Sequence, residues 1–70
     1  MKMRTTERQL EKRGKLLDDY MTTSGSVVRL YRLPGTFATL FPDGSVEYHS
    51  TDHNWRNDVS WRYGEHLHVA

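Results

Sequence analysis

Four histidines, two tryptophans and ten basic side chains are the chemically able residues of this 70-residue chain, which has no cysteine. The histidines come in pairs. His49 and His53 bracket Asp52, and His66 and His68 alternate. Imidazoles and a carboxylate could fill a tetrahedral zinc shell. Outside a helix the first spacing fixes no geometry. On a strand the second puts both rings on one wet face with Ser60 and Arg62, while Trp61, Tyr63, Leu67 and Val69 face the core. That alternation explains the segment without a metal, so neither metal nor other cofactor is expected. The nucleophile-elbow pattern G-x-S-x-G and the glycine-rich phosphate loops are absent. A chain this short also leaves little room for an enclosed pocket of about 300 Å³ or more. The expectation is a protein that is not an enzyme.

The aromatic and basic residues point to binding. Tyr31, Phe37, Phe41, Tyr48, Trp55, Trp61 and Tyr63 are interleaved with Arg29, Arg32, Arg56 and Arg62. Tryptophan, tyrosine and arginine dominate protein-interface hot spots. Aromatics beside arginines on a sheet also stack single-stranded nucleic acid. Trp55 and Arg56 stand in the polar run Asp52–Asp58, which has no apolar periodicity. That places them in a loop, where Trp55 is either folded back over the sheet or offered to a partner; the expectation is that it is offered.

Charge is unevenly distributed. Residues 1–34 carry eight basic against four acidic side chains, and residues 35–70 carry two against five, for a net charge of +1. An asymmetric chain is often an interaction protein. Arg4, Arg8, Lys12 and Lys15 form a basic stripe on a helix from Thr5 to Met21, with Glu7, Glu11 and Asp18 beside it. With Arg29 and Arg32 that stripe is the candidate nucleic-acid surface, although a sequence pI near 8.1 is low for that class. Met1-Lys2-Met3-Arg4 shows no secretory leader and no apolar run approaches membrane-span length. No membrane partner is expected, and the lack of cysteine fits the cytoplasm.

These residues need elements to hold them. Thr5 or Thr6 can open a helix that runs to the Thr22–Ser26 breaker cluster, with Met3, Leu10, Leu17 and Met21 on one arc and Gly14 beside them. Gly14 would suit a close approach to another backbone. Strands follow at Ser26–Leu33, Thr36–Phe41, Ser45–Thr51 and Val59–Val69, with turns at Pro34-Gly35 and Pro42-Asp43-Gly44. The latter turn pairs Leu40 with Val46 and Ala38 with Tyr48. One sheet face then holds Val27, Arg29, Tyr31, Leu33, Ala38, Leu40, Val46 and Tyr48. The other holds Val28, Leu30, Arg32, Phe37, Thr39, Phe41, Glu47 and His49. Both faces are partly apolar, and one helix covers only one of them. The second face must be covered by the fourth strand, the Trp55 loop, a second copy of the chain or another partner.

The sequence therefore predicts a single small α+β domain, with an N-terminal amphipathic helix at about 5–21 packed on a three- to four-stranded antiparallel sheet at about 26–69. Its expected function is to regulate or inhibit a protein partner by occupying its surface, through Trp55, Arg56, Phe37, Phe41, Arg32 and His49. A homodimer through the second sheet face is a further expectation. Nucleic-acid binding through Arg4, Arg8, Lys12, Lys15, Arg29 and Arg32 is the alternative.

Overall fold

A computed structural model describes residues 5–65. In chain order they form helix α1 (Thr5–Arg13), strands β1 (Lys15–Met21), β2 (Val27–Leu33), β3 (Thr36–Leu40) and β4 (Val46–His49), and helix α2 (Trp55–Arg62). The sheet is an antiparallel meander in the order β1-β2-β3-β4, so β1 and β4 are its edges. This is the expected α+β architecture, with α1 packed on the sheet. No helix among the described residues is long and apolar enough to cross a membrane.

The first departure from expectation is at Gly14. The helix stops at Arg13 rather than Met21. The Gly14 N–H closes the last turn on the Leu10 carbonyl at 2.8 Å. A Cβ at position 14 would lie 2.8 Å from that carbonyl oxygen, 3.0 Å from a Leu33 methyl and 3.2 Å from the Tyr31 Cβ. Glycine is what lets α1 fold down onto β2. Beyond it, Lys15–Met21 becomes an edge strand. Its residues have little strand propensity, but pairing with the strongly strand-forming β2 decides the outcome. A bulge between Leu16 and Asp18 interrupts the register and disguises the alternation. The Thr22–Ser26 cluster is a hairpin turn and not a helix stop. Thr22 N–H donates to Ser26 O, and Ser26 N–H to the Thr22 hydroxyl.

The remaining hairpins follow the turn chemistry. Gly44 has φ 89°, the left-handed value that the Pro42-Asp43-Gly44 loop needs. Leu40 pairs with Val46 and Ala38 with Tyr48. Leu33 pairs with Thr36 across Pro34-Gly35. Both faces therefore carry the expected residues. On the first, Leu10 of α1 is buried among Tyr31, Ala38 and Leu40, with Leu33 and Val46 alongside. On the second, Val28, Leu30 and Phe41 pack against Trp55 and Val59.

The second departure follows from that contact. Residues 55–62, expected as a polar loop running into a fourth strand, are helical. Trp55 and Val59 stand one helical turn apart, so both face the sheet. Trp61, expected in the core, is exposed on the opposite side. The sheet's extra strand is β1, and the sheet spans residues 15–49 rather than 26–69. The centre of the second face, the Val28–Leu30–Phe41 patch, is thus covered from within the chain. His66, Leu67, His68 and Val69 lie outside the described residues, as does Arg4.

The end of α2 is clasped to the β1–β2 hairpin. One Glu65 oxygen accepts from the Tyr20 hydroxyl at 2.9 Å. The other accepts from the Thr23 N–H at 2.9 Å and its hydroxyl at 2.8 Å. The two bonds from Thr23 hold the Glu65 carboxyl below its ordinary pKa, aided by Tyr20. The bond to Glu65 in turn raises the Tyr20 phenol. A lowered folded-state pKa means that the clasp contributes fully above the unfolded glutamate value, near 4.3, and fades as pH falls through the folded value. Glu65→Gln should therefore melt below the parent at neutral pH, and thermal melts across an acid series should show the gap closing below about pH 4.

Candidate partner-binding surface

Trp55 is in the core, 6% exposed. Its indole N–H donates to the Thr39 hydroxyl at 2.9 Å. Thr39, buried in the centre of β3, is also 2.7 Å from His49 Nε2, and His49 Nδ1 is 2.8 Å from the Thr51 carbonyl. The carbonyl can only accept, so Nδ1 carries a proton. In the neutral ring Nε2 then accepts from Thr39, whose oxygen accepts from Trp55. One relay satisfies four polar groups and ties α2 to β3 and β4. Loop exposure of Trp55 is therefore corrected: the polar residues around it are the solvent side of a short helix, and the ring is its anchor. Asn54, just before it, has a left-handed backbone with φ 59°, a conformation asparagine tolerates better than most residues.

Two more of the expected contact residues are engaged within the chain. Arg56 bonds the Asp18 carboxylate at 2.7 Å and the Asp19 carbonyl at 2.9 Å, and it lies over the Tyr20 ring. Phe41 is buried, with the Arg62 guanidinium 4.5 Å above its ring centroid and Arg62 bonded to Glu47 at 2.7 Å.

The other three come together. Strand register aligns Lys15, Arg32, Phe37 and His49 in one row across the sheet. Alternation puts that row on the second face, toward the Pro34-Gly35 end. Phe37 and His49 are half-buried and stacked, with centroids 6.2 Å apart and planes at 12°. Arg32 is 5.7 Å from the Phe37 ring centroid. Lys15 and Arg32 are exposed and face each other directly, an unfavourable like-charge pair. Neither forms an ion pair among the described residues.

The candidate nucleic-acid residues do not gather in this way. Lys15 and Arg32 lie on the second face, while Arg29 lies on the first, opposite Asp19. Arg8 and Lys12 are exposed on α1, which packs on the first face. The expected basic stripe is cut where the helix ends.

Between β4 and α2 runs an open groove of about 390 Å³, floored by Phe41, Trp55 and Val59 and rimmed by Glu47, His49, His53, Asp58 and Arg62. Its polar rim is largely spoken for: both His49 nitrogens are bonded and Arg62 holds Glu47. Among the described residues no three histidine, aspartate or glutamate side chains converge as metal ligands. The Lys15–Arg32–Phe37–His49 row had a sequence signal in part. The turn chemistry aligned Arg32, Phe37 and His49, but Lys15 could join only once β1 was known to be a strand.

Trp55→Ala should remove about 3–5 kcal/mol, the usual cost of truncating a buried tryptophan, and a urea melt should show little or no cooperative transition. Thr39→Val, which keeps the shape but leaves the indole N–H and the imidazole without their shared partner, should cost about 1–3 kcal/mol in the same measurement.

No protein-family model, curated protein or solved structure matches the chain, so the functional reading rests on this geometry alone.

Proposed function

We propose that this protein is a non-enzymatic binding module that regulates or inhibits a protein partner by occupying an acidic, extended segment of it. The observation that carries the reading is the Lys15–Arg32 pair. Two like charges face each other across adjacent strands beside a half-buried aromatic pair, with no acid among the described residues paired to either. A carboxylate laid between them would relieve their repulsion, and an apolar side chain beside it could rest on Phe37 and His49. A partner supplying both groups at strand spacing fits the row.

A protein segment fits this surface better than a nucleic acid does. Nucleic-acid affinity needs a track of cations that follows successive phosphates. Here Arg56 and Arg62 are bound to Asp18 and Glu47, and the remaining described cations lie on or over the other face. The row is about one or two charges wide. The cysteine-free composition fits action in the cytoplasm.

The test is titration with a short peptide of glutamates around one phenylalanine, followed by NMR, beside titration with oligothymidylate. The peptide should shift signals of Arg32, Phe37 and His49, and Arg32→Glu should weaken it about tenfold or more, the scale of one lost charge-assisted contact. Tighter binding of oligothymidylate, with a salt slope steeper than two released ions, would replace this reading with nucleic-acid recognition.

A further inference from the structure

The fold leaves one sheet edge open. β4 pairs only with β3, and nothing among the described residues pairs with its other side. Alternation fixes which groups point outward. The Phe41 N–H donates to Ser45 O at 2.9 Å, so Phe41–Ser45 is a hydrogen-bonded pair. Counting along the ladder, Thr39–Glu47 and Phe37–His49 are hydrogen-bonded too, and Leu40–Val46 and Ala38–Tyr48 are not. The Thr36 hydroxyl, which also reaches the His49 carbonyl at 2.9 Å, confirms that this carbonyl faces inward. The N–H and C=O groups of Val46 and Tyr48 therefore point away from the sheet.

The two edges are unlike. β1 is interrupted by the bulge at Leu16/Asp18, a device that discourages strand addition. β4 has no bulge, proline or lysine, and Glu47, its one carboxylate, is held by Arg62 on the second face. Tyr48 projects from the first face and is 61% exposed, beyond the reach of α1.

We propose that β4 pairs with the β4 strand of a second copy, antiparallel about a two-fold axis at Tyr48, joining the two sheets edge to edge. Two registers keep the outward groups bonded, and their side chains distinguish them. Centred on Glu47, the pairing sets two carboxylates directly opposite each other, which is unfavourable. Centred on Tyr48, it keeps the two Glu47 carboxylates apart, each opposite His49 of the second copy and still held by Arg62 of its own chain. The two Tyr48 rings then meet on the first face, where each is exposed when alone. In this register no like charges meet and the two exposed Tyr48 side chains cover each other, and that selects a second copy as the occupant. After His49 the chain bends at Ser50, and Thr51 turns back to the His49 ring on the second face.

This interface shares only His49 with the Lys15–Arg32 row, and the readouts are independent: Arg32→Glu tests peptide binding and the Tyr48 variants test dimerisation, so either can fail alone. The experiment is sedimentation velocity over a wide concentration range on the parent, Tyr48→Pro and Tyr48→Lys. Proline at 48 removes an N–H that the monomer does not use, so the variant should keep the parent's circular dichroism. The parent should dimerise reversibly, and Tyr48→Pro should weaken the dimer by at least about tenfold. If Tyr48→Pro does not fold, Tyr48→Lys decides, since it leaves the backbone intact and brings two ammonium groups together at the axis. A parent that stays monomeric at the highest concentration overturns the proposal. So does a folded Tyr48 variant that dimerises as the parent does.

Discussion

A four-stranded sheet with two apolar faces is unstable as a bare object, and Trp55 is what closes the second face. Its ring lies over Val28, Leu30 and Phe41, and its N–H reaches the Thr39 hydroxyl in the middle of the sheet. Burial supplies the driving force and the hydrogen bond supplies the position, because an indole N–H left unpaired in this core would cost about as much as a good contact contributes. Everything else on that side follows from the ring. Val59 is placed one turn along, Arg56 is brought to Asp18, and Glu65 reaches Tyr20 and Thr23. The eight residues of α2 would not hold a helix in water alone. They hold it because the anchor and the clasp fix both ends.

The sheet was legible where the turn residues are decisive. Pro42-Asp43-Gly44 and Pro34-Gly35 set the β2–β3–β4 register, and with it the two faces, correctly to the residue. Two segments were not legible, for related reasons. Lys15–Met21 is made of residues that suit a helix, and the bulge at Leu17 breaks the alternation that marks a strand. Trp61 and Tyr63 alternate with polar neighbours by accident of sequence, and that hid the four-residue spacing of Trp55 and Val59. Better weight on Gly14 as a helix terminator would have found β1, since Thr22–Ser26 then has to be a hairpin turn. Half of the expected contact surface is lost: Trp55 and Phe41 are core, and Arg56 is paired within the chain.

What remains at the surface is selected by what the core consumes. The two helices take the centres of both faces, and the ion pairs to Asp18 and Glu47 take both second-half arginines, Arg56 and Arg62, out of play. Such exposed pairs stabilise little, about 0–1 kcal/mol each. Their larger effect is on recognition, because they occupy arginines that would otherwise extend the positive surface. Lys15 and Arg32 stand apart from this neutralisation at the open end of the second face.

The placement of Leu10 at one end of the chain and Trp55, Val59 and Glu65 at the other has a consequence for synthesis. The hairpins between them are local and can close quickly, since their contacts span few residues. As the chain leaves the ribosome, however, the meander emerges with its second face bare, and α2 emerges after it. Until residue 65 is free, an apolar surface and an open strand edge are presented together, the combination that invites misassembly. The nascent sheet is therefore most vulnerable between its own completion and the arrival of residues 55–65, which act as its cover.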